Sequence, residues 1–376
     1  MERLKILLMG DASNCHAALA GALARQGHEV TLASAGSGFM KTSSPVSLRR
    51  PLPGKAGGLL LWLRLRRLLR SDLRGHDIVS ICGPGFVDLR PARIRPVFDA
   101  LRRDNGAVFM THLGLDALYA ADCLSADPPL PVNDFRINGR PSPYALAHPE
   151  AGRLWTAPEL TALTEHIYNK VSGVTTVLYE YHVAALRRLS AAKVGYIGIP
   201  VDTEAVEPEP RCPGAPVNLF LGRHSHRKAE KGTDLLERAA RIVAARHPGE
   251  VSFTLVEDRP YAEYIGLLRQ ADIVLDQLYS YTPATNALLA MARAKSVVSG
   301  GSEEYYRFIG EDRLRPIIPS SLDFEELVAT LDEAATRPDL LDGRGRQGRA
   351  FVERHNGSDV VGRRAVEFWT KCLGRC

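Results

Sequence analysis

The sequence predicts an α/β protein made of two Rossmann-like domains, each built on a parallel sheet. Three observations lead there. At 376 residues the chain exceeds one ordinary core and suits two domains of similar size. Short apolar runs alternate with helical patterns along its whole length, the signature of βαβ units. Midway, a proline-rich stretch interrupts both patterns.

Taken in order, Leu4–Met9 reads as a strand, Ala17–Gln26 as a helix stopped by Gly27, and Val30–Ala33 as the next strand. Ile78–Ile81, Val108–Met110 and Val174–Val177 follow as strands, and Val194–Ile197 closes the first sheet. Ile199 to Pro216 carries five prolines and reads as a linker. Beyond it come strand Val217–Leu221, helix Thr233–His247, strand Ser252–Val256, helix Tyr261–Ala271 and strand Ile273–Asp276. A helix over about Ala284–Ala294, strand Ser296–Ser299 and a final helix Asp359–Leu373 complete the series. The expected domains are 1–198, joined by a returning helix within 355–376, and 199–354. Between Leu113 and Glu159 the pattern fails. The aromatics Phe135, Tyr144 and Trp155 suit an ordered lid there, and a plain surface excursion fits nearly as well.

Composition excludes several classes. The apolar fraction of 45% and charged fraction of 24% belong to a water-soluble globular protein. A net charge of +5 is too mild for a dedicated nucleic-acid binder but suits anionic ligands or an anionic membrane. The six cysteines form no CxxC pair and no metal-type cluster with histidine, so free thiols in a reducing cytosol and no metal are expected. The apolar run near the N-terminus is too short for a signal peptide, and no segment reaches the length of a membrane span.

The strongest local signal is Val217-Asn-Leu-Phe-Leu-Gly222-Arg223, a cationic loop, then Lys231-Gly232 before a helix. Arg presents a planar fork to phosphate oxygens, Lys a compact charge, and a helix start adds free N–H groups, so the arrangement favours a diphosphate. A solvated basic loop is the plainer alternative. The loop after the first strand, Gly10 to His16, lacks GxGxxG. There Ser13, Asn14 and His16 could touch an acceptor, or Ser13 or Asn14 could simply cap the helix. In Leu59–Arg74, Leu61, Trp62, Leu65, Leu68 and Leu69 share a helical face and five arginines occupy much of the rest. Such a helix can lie on an anionic bilayer, or be a domain helix with a basic solvent face.

These residues carry a resemblance. The C-terminal half resembles the GT-B glycosyltransferases of the family-4 (group 1) type, whose pattern is a strand, GR, a short loop, KG and a helix. Gln270-Ala-Asp-Ile-Val-Leu275 and Ala290-Met-Ala-Arg-Ala-Lys-Ser-Val-Val298 continue it, with Gly27-His-Glu-Val-Thr31 and Ile199-Pro-Val-Asp-Thr203 upstream. The resemblance implies the GT-B fold: two facing Rossmann-like domains with parallel sheets and the reaction in the cleft between them. It implies a sugar moved from a UDP- or GDP-linked donor to a glycan or lipid-linked acceptor, with retention, no metal and no further cofactor. It implies that Arg223 and Lys231, beside Gly222, hold the donor diphosphate, and that His112 approaches the donor sugar. These three, His112, Arg223 and Lys231, are the expected catalytic group. The setting it suggests is the cytoplasmic side of polysaccharide or lipid-linked glycan assembly, with peripheral membrane contact through residues 59–74 as an option.

One departure stands out. The family's two glutamates, eight positions apart, correspond here to Tyr281 and Leu289. Leu289 has no acceptor to offer a ribose. Glu257, Asp258 or Asp276 could substitute, while Tyr281 and Asn286 could bond sugar hydroxyls. Thr282 and Pro283 suit a helix start near Ala284, whose N–H groups would remain available to phosphate. The same departure motivates a second expectation, a catalytically inactive GT-B scaffold that binds a nucleotide or glycan. An epimerase or phosphorylase would need an acid/base pair or cofactor lysine, for which no specific signal exists.

Overall fold

The computed structural model describes residues 3–36, 44–209, 211–212 and 214–374. Pro210 and Pro213 of the linker, and Cys376, lie outside the described residues. The chain divides into two compact units.

The first unit comprises Met1–Pro129, Glu150–Pro200 and Ser358–Cys376. Its elements begin with β1 (Lys5–Met9), α1 (Cys15–Arg25), β2 (Glu29–Ser34), β3 (Val46–Ser47), α2 (Gly54–Leu68), β4 (Ile78–Cys82), α3 (Pro91–Asp104), β5 (Ala107–His112) and α4 (Ala117–Leu124). The chain then leaves for the second unit, where β6 (Arg136–Ile137) and β7 (Arg140–Pro141) form a small antiparallel ladder before α5 (Pro143–Ala147). It returns with α6 (Ala151–Trp155), α7 (Pro158–Tyr168), β8 (Val174–Thr176), α8 (Tyr179–Arg188) and β9 (Val194–Tyr196). The sheet is parallel, in the order β3-β2-β1-β4-β5-β8-β9.

The second unit comprises Leu130–Pro149 and Val201–Gly357. After the linker come β10 (Val217–Arg223), α9 (Lys228–Lys231), α10 (Thr233–Arg246), β11 (Val251–Glu257), α11 (Tyr261–Leu268), β12 (Ile273–Leu275) and α12 (Thr285–Ala292). Then follow β13 (Ser296–Ser299), α13 (Glu303–Ile309), β14 (Ile317–Pro319), α14 (Phe324–Ala335) and α15 (Pro338–His355). The parallel sheet has the order β11-β10-β12-β13-β14. Helix α16 (Ser358–Cys372) belongs to the first unit.

Both sheets are buried on two faces, which is why their strands read as continuous apolar runs rather than alternating ones. In β1, Leu7 and Met9 join a core with Val79, Ile81, Val108 and Met110 under Leu61, Phe98, Leu101 and Ile167. In β10, Val217, Leu219 and Leu221 meet Leu236, Val243, Leu275 and Leu331. The returning α16 lays Phe368 and Trp369 against Phe109, with ring centroids 6.1 and 6.0 Å apart. Gly195 is required there, because a Cβ would lie 2.4 Å from the Phe368 ring.

Two expectations change. Leu130–Pro149, read as part of the first domain, packs into the second unit, and the returning segment starts at Ser358 rather than 355. The excursion is ordered around buried Phe135, 5.7 Å from the Tyr144 ring. Of the two readings of helix α2, its named apolar face follows the domain helix with a basic solvent side. Leu61 and Leu65 are fully buried and Trp62, Leu68 and Leu69 pack on the same core, so that apolar stripe is spent inside the domain. Its opposite side carries exposed Leu59, Leu60 and Leu63 with arginines 64, 66 and 67. Among the described residues no helix is long and apolar enough to cross a membrane.

Candidate functional site

In the second unit, four adjacent parallel strands end in chemistry-bearing residues. Glu257 closes β11, Arg223 closes β10, Asp276 follows β12 and Ser299 closes β13. The carboxyl edge of an open parallel sheet is where such folds bind ligands. Register sets Arg223 directly beside Glu257. Gly222 is fixed by packing, since a Cβ there would sit 2.2 Å from the Tyr264 ring.

The expected cationic loop contains the short helix α9, and Lys231 sits at its end. Gly232 follows with φ +65°, turning the chain into α10; this left-handed turn suits glycine. The cap residue Gly232 offers no side chain to α10, whose first N–H groups, as in any helix, have no intrahelical partner. The Thr233 hydroxyl in that turn is buried without a hydrogen-bond partner. Asp234 in the same turn is the natural acidic partner of the helix dipole.

The two expected cations differ in their environment. Lys231 Nζ donates to Asp276 Oδ1 at 3.1 Å, and its side chain is 27% exposed. Arg223 is 6% exposed and already held: Nε donates to Glu257 at 2.8 Å, Nη2 lies 2.7 Å from Glu237, and Nη1 donates to the Thr233 carbonyl at 3.2 Å. Burial alone would lower its pKa; the two carboxylates more than offset this and hold it above the ordinary value. Arg223, expected as an open grip, is therefore a clamp joining β10, β11 and the start of α10. Glu257, which Arg223 and then Lys228 hold below the usual carboxylate range, has both cations on its Oε2, so the structure shows it as a charge partner.

Asp276 is the hub of the site. It is 1% exposed and accepts from Lys231, from Ser299 Oγ at 3.0 Å and from Asn286 Nδ2 at 3.4 Å. Asn286 Oδ1 in turn accepts from the Tyr264 hydroxyl. Burial pushes the Tyr264 hydroxyl up, so it stays protonated and donates. Sequence reasoning named Asp276 only as a stand-in carboxylate and missed Tyr264 and Ser299. An acid directly after the strand beside Gly222-Arg223 was the available signal.

The Tyr281–Asn286 stretch is rearranged relative to expectation. Helix α12 begins at Thr285 with extended Ala284 as its cap and no side-chain cap, so neither Thr282 nor Pro283 starts it. Thr282 is 2% exposed, its carbonyl accepting from Gln277 and Ser280. Tyr281 is also buried, and its hydroxyl accepts from the Val132 N–H at 3.3 Å. Asn286 is engaged by Tyr264 and Asp276 rather than left open to a sugar.

The first unit holds the remaining expected residues. His112 ends β5, 1% exposed, stacked on Tyr181 at 4.5 Å and edged by Tyr119 and Tyr168. Its Nε2 lies 3.5 Å from Asp116, which also accepts from the Tyr168 hydroxyl at 2.9 Å and the Tyr119 N–H at 2.8 Å. Burial lowers the imidazole pKa, opposed by Asp116 and the Gly114 carbonyl, which favours the neutral ring. His112, expected near the donor sugar, is enclosed here by these rings and Asp116. His16 is likewise 1% exposed, bonded to the Gly10 carbonyl at 2.8 Å and the Thr111 hydroxyl at 3.3 Å. Burial drives its pKa down to about 4. It is a core histidine and no acceptor contact. Asn14 occupies the N-cap of α1 at φ 64°, without a side-chain cap bond, beside exposed Ser13 at φ 52°. Among the described residues no three of His, Cys, Asp or Glu are grouped to hold a metal ion.

No protein-family model matches the chain, and no curated protein matches it in sequence. Solved structures do match in fold. Sucrose-phosphate synthase (tll1590) from Thermosynechococcus elongatus aligns over 100% of both chains with TM-score 0.61 and 16% identity. Anabaena Alr3699/HepE, solved with UDP-glucose, aligns over 98% of this chain and 100% of its own, with TM-score 0.61 and 13% identity. The catalytic domain of starch synthase IV from Arabidopsis thaliana, bound to ADP and acarbose, aligns over 100% of both with TM-score 0.62 and 12% identity. At these identities the likeness shows the fold, which is that of the GT-B class: α/β, with two Rossmann-like domains on parallel sheets.

Proposed function

We propose that this chain is a glycosyltransferase that takes a sugar from a UDP- or GDP-linked donor. The carrying observation is the edge formed by Glu257, Arg223, Asp276 and Ser299, with Lys231 and the uncapped start of α10 beside it. In the reaction the donor's C1–O bond breaks, the acceptor oxygen bonds to C1 and gives up its proton, and the nucleoside diphosphate leaves with the electron pair. Negative charge grows on the diphosphate as it leaves. Lys231 and the free N–H groups of α10 are suited to stabilise it in place, and the α12 start is uncapped as well. Arg223 supports this indirectly by fixing Glu257, Glu237 and the first turn of α10.

The finer parts of the reading rest on the sequence resemblance: retention, independence of a metal or further cofactor, a glycan or lipid-linked acceptor, His112 near the donor sugar, and a cytoplasmic setting. No nucleic-acid partner is proposed. The same reading puts a peripheral membrane contact on the 59–74 segment, through Leu59, Leu60 and Leu63, which are 44–53% exposed beside the arginines of α2. Calorimetry with UDP- and GDP-sugars tests the core of it: at least one should bind, and binding of none would refute the proposal. A second reading, an inactive scaffold, is favoured by Leu289 at a position where an acid is expected and by the full engagement of Arg223. Release of nucleoside diphosphate by the unmodified chain would eliminate it.

A further inference from the structure

Helix α9 is tied down on both sides of β10. Toward β11, Lys228 Nζ lies 3.0 Å from Glu257 Oε2. Toward β12, Lys231 Nζ donates to Asp276 at 3.1 Å. The backbone of α9 is held too: the Lys231 carbonyl accepts from the Leu278 N–H at 2.9 Å, and α5 packs on the helix. Lysines three positions apart share a helical face, their Cβ atoms roughly 5–6 Å apart, so the two ammonium groups can serve one edge together. The cations of this edge are not equivalent. Arg223, 6% exposed, spends its guanidinium on Glu257, Glu237 and the Thr233 carbonyl. Arg227 is paired with Glu230 of α9 itself at 2.5 Å. Lys228 is 39% exposed, and the oxygen it meets is the one Arg223 Nε already holds at 2.8 Å.

This shared oxygen makes Lys228 the cation that can change partners most cheaply. Both members of the pair are open to water, so parting them loses little. When the Lys228 tip leaves, Glu257 keeps Arg223 and stays neutralised. Release of Arg223 would instead part a buried guanidinium from two carboxylates at once and take the clamp off the first turn of α10. A phosphate offers more negative charge than one carboxylate and takes a lysine as a point charge. We infer that Lys228, rather than Arg223, is the second cation that this edge gives to a diphosphate, alongside Lys231, and that Glu257 competes with the ligand for it. The inference rests on the diphosphate site proposed above. It replaces the Arg223 contact implied by the resemblance with one from a loop residue outside the GR and KG pairs. Binding then exchanges one ion pair for another. The Lys228 ammonium turns from Glu257 Oε2 to a phosphate oxygen, the backbone of α9 stays, and Arg223 holds Glu257 in place.

The test is calorimetry on the full chain with inorganic pyrophosphate, which carries the diphosphate charge without base or sugar. Lys228→Ala should weaken its binding about tenfold, and Lys228→Arg should recover most of the loss. Because the pair is exposed, both variants should melt like the parent. Glu257→Gln keeps an acceptor for Arg223 Nε but removes the competing charge, so it should tighten binding about threefold. In the Lys228→Ala background the same substitution should change nothing. That dependence separates competition from support, since a Glu257 that merely braced the edge would weaken binding when replaced. The inference is overturned if the parent does not bind pyrophosphate, or if Lys228→Ala binds it as tightly as the parent. It is overturned equally if Glu257→Gln fails to tighten binding, or if the gain survives without Lys228, which would put the freed charge on Arg223. Failure of every nucleotide sugar to bind, with pyrophosphate behaving as described, would instead sink the proposed function and leave the exchange of partners standing.

Discussion

Replacing Lys231 with alanine should separate ligand gripping from scaffolding in the second unit. The lost charge lies beside the start of α10, and a unit charge about 4 Å from one phosphate charge is worth roughly 4 kcal/mol at the effective dielectric of a protein surface. Asp276, 3.1 Å from Nζ, already draws on that charge, so the gross figure is an upper bound. A loss of about 3 kcal/mol in the transition state, near 100-fold in rate, is the expected size for one preorganised donor. Calorimetry with the nucleoside diphosphate and turnover with the donor would both register it. Folding should suffer less than function, and Asp276→Asn in the same chain should restore part of any lost stability by removing the stranded buried carboxylate. Arg223→Ala should behave oppositely. It leaves Glu237 and Glu257 without their shared cation, and because both carboxylates keep access to water the loss is smaller than for a fully buried pair. It should show as a Tm below the parent's, with diphosphate binding less affected than in Lys231→Ala. Lys231→Ala binding the diphosphate as tightly as the parent would refute the reasoning.

Two further outcomes follow from the first unit. His16 has a native pKa of about 4 against an ordinary value of 6.5, so the unfolded chain takes up its proton first. Stability from this residue is full above pH 6.5 and is lost as pH falls toward 4, by roughly 3 kcal/mol in all. Denaturant titrations of the parent and His16→Gln should diverge across that window, and parallel curves would contradict the burial argument. On anionic vesicles, the chain should bind at low salt and release as ionic strength rises. Because Leu59 and Leu63 are about half exposed, Leu59→Ser/Leu63→Ser should weaken binding by about ten- to thirtyfold in a sedimentation assay, and no effect would remove the membrane contact.

Much of the architecture was legible because two-sided burial writes each strand as an apolar run and each helix as a periodic one. Lys231 was identifiable as a residue, but a four-residue helix such as α9 is too short to show a period. The engagement of Arg223 was not legible: Glu257 becomes its neighbour only through β10–β11 register, and Glu237 only through the angle of α10. His16 and His112 illustrate the same limit, since a histidine in a helix's first turn or at a strand end reads alike whether it faces a ligand or is enclosed by the fold, His16 by Gly10 and Thr111 and His112 by a ring of tyrosines. The apolar face of α2 with Leu61 and Leu65 was legible, but whether it met a core or a bilayer was decided only by packing. The Leu130–Pro149 excursion carries no periodicity, so its allegiance could not be read.

That excursion has a consequence for how the protein can be made and cut. Val132 tethers Tyr281, and α5 packs on α9, so a piece of the early chain completes a body whose strands are synthesised much later. On the ribosome it must wait, unpartnered, for those strands to emerge. A recombinant fragment starting at residue 199 would arrive with a gap where this insert belongs, and should be soluble only when residues 130–149 are supplied alongside.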